Sequence, residues 1–419
     1  MNDLRMTEEH GINPIAFAVP LFLASILIEA AIAKRQGRQG YYFFGTALAD
    51  VTSGTVFQVL EVFFKFVPLL VYAWVVERYA LIDWGESTWG LFFTALLLVD
   101  FMYYWWHRES HVINLLWAVH GVHHQSEDFN LAVALRQPIF EPITWFFFYI
   151  PLALLGIPVE VFLAAYALDL LYQFFIHTEL VRKLPAPIEW VFNTPSHHRV
   201  HHGVQDQYLD KNYGGILVIW DRMFGTFEAE DERVIYGTTV PVHSYNPLWT
   251  NFNYFQHMAS LARQATRLRD KLWVWFAHPA WLPQGVERDA NELKRLKSDK
   301  YRPEVAPELV WYLSGHYLLL GALILVFLMF EASFGWGQRA AGCTAIVMST
   351  VVFLGLVEGK RWAEWMELAR GPVVAGAVVW LAALWLQGWV LVGIGALVLV
   401  VMWGSWNVWR ARVRGAGAA

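Results

Sequence analysis

The stretch HRESHVINLLWAVHGVHHQSEDFNLAVALRQP, residues 107–138, places five histidines within 18 residues. His107 and His111 form an H-x-x-x-H pair, and His120, His123 and His124 an H-x-x-H-H group. Residues at i, i+3 and i+4 share one face of a helix, so each group can aim two or three imidazoles at one point. The stretch follows directly on an apolar run, 88–106, long enough to cross a bilayer. A second H-x-x-H-H, His198, His201 and His202, stands in NTPSHHRVHHG at 193–203. His177 ends another apolar run, in LLYQFFIHTEL at 170–180. Nine imidazoles at metal-ligand spacing suit two ions of four to five ligands each, with positions left open for substrate or oxygen. His197 falls on another helix side and is left out of the set, and His10, His243, His257, His278 and His316 show no partner in sequence.

Composition points to a membrane protein. Of 419 residues, 57% are hydrophobic and 16% charged, and the mean hydropathy is +0.36. An ordinary soluble enzyme or a disordered chain does not have that balance. A net charge of −5 gives no electrostatic basis for general nucleic-acid binding. The single cysteine, Cys343, excludes an intrachain disulfide framework and any multi-cysteine zinc or iron–sulfur site.

Nine apolar stretches have the length of a span: 14–33, 56–76, 88–106, 138–157, 158–176, 309–330, 340–357, 371–386 and 389–409. The expected fold is therefore an all-α integral membrane protein of about nine transmembrane helices carrying a cytosolic, histidine-rich helical di-metal domain. Gly156, Ile157 and Pro158 join the fourth and fifth stretches as a tight hairpin. Basic residues alternate with the spans: Lys34, Arg35 and Arg38 in the first loop, sixteen between 178 and 308, and Arg410, Arg412 and Arg414 in the tail. This asymmetry predicts the N-terminus outside, the C-terminus in the cytosol and the histidines at the cytosolic face. The first stretch does not read as a signal peptide, since it lacks a basic start and carries Glu29. Residues 252–276 repeat apolar positions at three- and four-residue spacing among Arg263, Arg267, Arg269 and Lys271. They read as an amphipathic helix, lying in the headgroup plane or packed on the cytosolic domain.

The histidine series resembles the membrane-bound di-iron fatty acid hydroxylase/sterol desaturase superfamily. Within it, the 107–138 stretch, together with DKNYGGILVIWDRMFGTFEAE (210–230) and YGTTVP (236–241), is similar to the branch that cleaves the O-alkyl bond of ether lipids with oxygen and tetrahydrobiopterin. The resemblance implies four regions: N-terminal transmembrane helices (1–87), a di-iron catalytic domain (88–240), a cytosolic amphipathic and linker segment (241–308) and C-terminal transmembrane helices (309–419). It implies that His107, His111, His120, His123, His124, His177, His198, His201 and His202 hold two irons, which zinc can replace on purification. Oxygen and a lipid are the implied substrates, in the bacterial inner membrane or, for a eukaryotic chain, the endoplasmic reticulum. Val112 stands where the ether-lipid enzymes carry a glutamate, a departure that bears on tetrahydrobiopterin and the ether substrate more than on the metals. Gln173 stands where fatty acid hydroxylases place a further histidine.

Intramembrane charge is costly and so informative. Asp100, Asp169 and Gln173 share faces with His107 and His177 and are candidates to hydrogen-bond the ligands and tune the metals. Phe101, Tyr103, Tyr104, Trp105, Trp145, Phe146, Phe147 and Tyr149 are candidates to line a crevice for the lipid chain. The expected function is a membrane di-iron lipid monooxygenase, in the leading reading one that cleaves an alkylglycerol ether lipid to an aldehyde and a glycerol derivative. The alternatives are a sterol, carotenoid or fatty-acyl hydroxylase or desaturase, and, in another class, a metal transporter or zinc hydrolase. No H-E-x-x-H is present to support the hydrolase.

Overall fold

The computed structural model describes residues 14–416 except 65, 87 and 288–299. Sixteen helices of six or more residues occupy the described chain, and no strand forms there, only two isolated bridges, Phe192–Leu217 and Gly203–Tyr236. The long helices are α1 (Pro14–Arg35), α2 (Phe44–Glu61), α3 (Phe66–Tyr79), α4 (Trp89–Val112), the short α5 (Asn114–His120), α6 (Glu141–Leu154) and α7 (Val159–Ile176). Three short helices follow, α8 (Ala186–Val191), α9 (Pro195–His201) and α10 (Ile219–Phe224), then α11 (Pro247–Gln264) and α12 (Leu268–Trp273). The C-terminal set is α13 (Pro307–Met329), α14 (Trp336–Val357), α15 (Arg361–Ala382) and α16 (Trp389–Ala416).

Five of these helices, α4, α7, α13, α14 and α16, are long and apolar enough to cross a membrane. A sixth crossing arises if Gln39–Glu61 and Phe66–Tyr79 count as one broken span. Nine straight spans are thus not what length and composition support among the described residues. The expected second span is a pair of helices bent by 58°. The expected fourth span is α6, whose 14 residues reach only about 21 Å against a hydrocarbon core of about 30 Å. The expected eighth starts ten residues early, because Glu367 and Arg370 lie buried inside α15 and not in a loop. The amphipathic stretch 252–276 breaks at 265–267 into α11 and α12. Tyr254, Met258 and Leu261 are buried, with Tyr254 and Met258 packed against Ala118 of α5. Phe252, Leu268, Leu272 and Phe276 stay exposed.

The α6–α7 hairpin is as expected at its turn. Gly156 has φ +81°, and a Cβ there would sit 2.1 Å from the Ile82 carbonyl oxygen. Only glycine takes that conformation without cost. The turn is stapled from outside: the Tyr72 hydroxyl donates to the Ile157 carbonyl (3.1 Å), the Trp84 indole to that of Leu155 (2.8 Å), and the Leu81 amide to that of Leu154 (2.8 Å). Ala95, Val99, Tyr149, Leu152, Phe162 and Ala165 form the core where α4, α6 and α7 meet. A separate core joins α2, α13, α14 and α15 through Val59, Leu313, Phe327, Ile346, Phe353 and Leu381. The end of α4, the end of α7, and α5 and α9 converge on one region between them.

Candidate metal centre

All nine histidines singled out by spacing meet there, and all are buried. They form two groups whose ligand atoms lie within 4.8 Å of one another: His107, His111, His120, His124 and His201, and His123, His177, His198 and His202. The division cuts across the sequence motifs. In each H-x-x-H-H, the residues at i and i+4 enter one group and the histidine between them enters the other. His120 and His124 join the first group and His123 the second; His198 and His202 join the second and His201 the first. Each motif thus serves two points, not the single point that shared helical phase suggests. α5 ends at His120 and His123–Gln125 is a separate 3₁₀ turn, whereas His198 and His201 lie on the unbroken α9, so the same division arises with and without a helix break.

Backbone carbonyls set the rings. The Nδ1–H groups donate to Tyr213 O from His107 (2.8 Å), to Arg136 O from His123 (3.0 Å), to Gln173 O from His177 (2.7 Å) and to Lys211 O from His201 (2.9 Å). A carbonyl can only accept, so these four rings carry their proton on Nδ1 and present a bare lone pair at Nε2. His123 Nε2 and His177 Nε2 then face each other at 3.1 Å as two acceptors, with no proton to share. The Nε2 atoms of His107, His111, His201 and His202 are buried without any partner. Unpaired buried acceptors are costly, and a cation among them removes the cost. Metal–nitrogen bonds of about 2.0–2.1 Å put two donors of one ion roughly 3–3.5 Å apart. His120 and His124 Nε2 are 3.2 Å apart and His177 and His198 Nε2 2.9 Å. The residues therefore fit a metal in each group.

Electrostatics favours the ligand form. Burial, reinforced by neighbouring rings, holds His120, His124, His198 and His202 well below the ordinary histidine range and pushes His201 down to about 3, while burial with the nearby Arg136 guanidinium pushes His123 down to about 4. The rings are neutral at physiological pH, as metal binding requires. The donor set is all nitrogen, unlike the glutamate-rich sites of soluble di-iron bundles.

The expected supporting residues behave differently. Asp100 and Asp169 bond no histidine. Asp100 accepts from the amides of Ile216 (2.6 Å) and Leu217 (3.2 Å) and the Trp220 indole (2.8 Å). Asp169 accepts from the Gln173 side chain (2.6 Å), which is thereby turned away from the metal group while the Gln173 carbonyl orients His177. Of the crevice candidates, Tyr103, Tyr104 and Tyr149 are buried, Phe147 is exposed, and Phe101 and Trp105 pack against Phe224. His197 caps α9 through Thr194 and faces Glu189 at 3.7 Å, outside both groups. Two histidines that look solitary in sequence have partners: His316 bonds Ser405 (2.8 Å) and Arg370 (3.0 Å), and His278 pairs with Asp210 (3.1 Å). His10 lies outside the described residues. Spacing does not single out Asp50, Asn212 and Asp221 as site residues. They support the ligands through backbone carbonyls, a role that carries no spacing signal.

Residues 92–226 match the family model described as fatty acid hydroxylase. The chain is 40% identical to alkylglycerol monooxygenase of Homo sapiens over 273 residues, 64% of this chain and 59% of that protein. The same identity holds to the Xenopus tropicalis alkylglycerol monooxygenase over 296 residues, 68% of this chain and 64% of that protein. It is 32% identical to an ornithine lipid hydroxylase of Rhizobium tropici over 146 residues, 32% of this chain and 40% of that protein. The chain thus covers less than two thirds of the length of these relatives. No solved structure matches it.

Proposed function

We propose that this chain is a membrane-bound di-iron monooxygenase that hydroxylates a C–H bond of a lipid with O2, a reading supported by the match of residues 92–226 to the fatty acid hydroxylase family model. The observation that carries this reading is the pair of buried histidine groups with orphaned ring nitrogens. Two irons held there would supply oxygen activation and attack on an unreactive carbon, chemistry that no side chain provides. The chain's own residues do the rest. Carbonyls of Tyr213, Lys211, Arg136 and Gln173 fix the ring tautomers. Trp106 and Trp117 pack against His120 and His111, and Phe129 against His177 and His202, which keeps water from the rings.

The similarity to alkylglycerol monooxygenases supports an ether lipid as substrate. Hydroxylation of the carbon bearing the ether oxygen gives a hemiacetal, which falls apart to an aldehyde and a glycerol derivative. A second reading, hydroxylation of another membrane lipid, is favoured by Val112 in place of glutamate and by the ornithine lipid hydroxylase relative. The same substitution makes tetrahydrobiopterin the less favoured reductant. The distribution of basic residues supports a cytosol-facing centre in a multi-pass protein, and the Ala-, Gly-, Val- and Trp-rich spans favour a bacterial inner membrane over the endoplasmic reticulum.

Membranes containing the protein, incubated with an alkylglycerol, oxygen and a reductant, should release a fatty aldehyde, and purified protein should hold two irons per chain. Hydroxylation of a different lipid without aldehyde would establish the second reading. Metal-free protein with oxygen-independent activity would end both.

A further inference from the structure

Two ligands of the five-histidine group, His107 on α4 and His201 on α9, come from distant parts of the chain. Both are oriented by the same short strap. Lys211 O accepts from His201 and Tyr213 O from His107. The residue between them, Asn212, has φ +55°, a left-handed turn that aspartate and asparagine tolerate better than most residues.

Two side chains that touch neither ring hold the strap. Asp221 accepts the amides of Tyr213 (2.7 Å) and Gly214 (2.8 Å), one on each oxygen, and the Thr226 hydroxyl (2.7 Å). Asn212 donates to the carbonyls of Glu228 (2.7 Å) and His197 (3.1 Å) and accepts the Glu228 amide (2.9 Å). Both are 0% exposed. Beyond them the strap is pressed into the helices: a Cβ on Gly215 would lie 2.8 Å from carboxylate oxygens of both Asp100 and Asp169. Burying a carboxylate costs stability unless it is hydrogen-bonded, and Asp221 spends one bond of each oxygen on this one turn. The four-histidine group takes its orienting carbonyls from elsewhere, at Arg136 and Gln173.

We infer that Asp221 and Asn212 are positioning residues for the five-histidine group alone, acting through the carbonyls of Lys211 and Tyr213. The inference rests on the reading of that group as a metal site. Residues that orient ligands through an intermediate group typically change metal affinity by about 10–100-fold, and here the loss is confined to one of two sites.

The test uses the full-length protein in detergent, stripped of metal and titrated with cobalt(II), whose visible absorption reports ligand geometry. Wild type should take up two cobalt ions per chain. Asp221→Asn, which keeps the shape but replaces one acceptor with a donor, should bind one ion tightly and the other at least 10-fold more weakly. Its residual spectrum should match that of His107→Ala and differ from that of His198→Ala. Asn212→Gly, which retains the left-handed backbone freely, should show the same selective loss and decides the matter if Asp221→Asn aggregates. Two tight cobalt ions with the wild-type spectrum in both variants would overturn the inference, as would equal weakening of both sites. Wild-type protein that binds no cobalt would sink the metal reading itself, and this inference with it.

Discussion

Asp50 and Arg136 form a buried ion pair at 3.1 Å, and the carbonyl of that same arginine takes the ring proton of His123 at 3.0 Å. Asp50 belongs to α2, outside the matched residues 92–226, so a helix beyond that region reaches His123 through the Arg136 side chain. The guanidinium is also bound to the Val122 carbonyl and the Gln125 side chain. Replacing Asp50 with leucine leaves a buried cation without its counter-charge. That should cost about 3–5 kcal/mol, read as a lowered midpoint of thermal unfolding in detergent, with Asp50→Asn losing less. An unchanged midpoint for both would show that α2 does not brace the site.

Neighbouring histidines should behave as members of different sites. His201→Ala should weaken the five-histidine group and His202→Ala the four-histidine group, each leaving about one tightly held metal per chain. Metal analysis combined with optical or paramagnetic spectra checks this. Identical residual spectra in the two variants would contradict the interleaved assignment. Turnover should be abolished in both.

Gly156→Ala should destabilise the protein without touching the histidines. The new methyl meets the Ile82 carbonyl oxygen at 2.1 Å, and the residue must hold a left-handed φ. Strain of this kind costs about 1–3 kcal/mol. Lower yield of folded protein and a lower unfolding midpoint, with metal content per folded chain preserved, is the expected pattern.

The C-terminal helices contain a buried polar knot that should prove equally sensitive. Glu367 pairs with Arg370 and accepts from the Tyr312 hydroxyl (2.5 Å), Arg370 meets His316 (3.0 Å), and His316 meets Ser405 (2.8 Å). Arg370→Leu alone should be strongly destabilising, about 3–5 kcal/mol, because it strands a buried carboxylate. Adding Glu367→Gln should recover part of the loss. A double variant no more stable than the single one, in the same thermal assay, would refute the pairing as the source of the effect.

The histidine spacing makes the ligand set legible in the sequence itself, because i, i+3 and i+4 positions are physically constrained on a helix. Spacing does not reveal the division into two groups. It arises across the break between α5 and a 3₁₀ turn in one motif and within the unbroken α9 in the other, so helical phase alone does not announce it. Hydropathy identifies the membrane character correctly and makes the spans too regular. The 58° bend between α2 and α3 and the brevity of α6 lie within runs whose hydropathy alone looks continuous. Glu367 and Arg370 read as loop charges, since opposite charges three residues apart are ordinary at a surface. Their burial depends on Tyr312 and His316, more than fifty residues away. Asp100 illustrates the same limit: its helical phase matches His107, yet its bonds go to Ile216, Leu217 and Trp220, which no local pattern brings near.

Only one peptide unit separates His123 from His124, and only one separates His201 from His202, although the members of each couple serve opposite seats. The separation between the seats is therefore gauged twice by covalent geometry, with consecutive Cα atoms about 3.8 Å apart. Thermal breathing of the surrounding helices can carry the couple of seats along as one piece, but it cannot pull them apart. Two ions held by these rings would therefore inherit a spacing written into the main chain, and not one left to the looseness of lipid-facing helices.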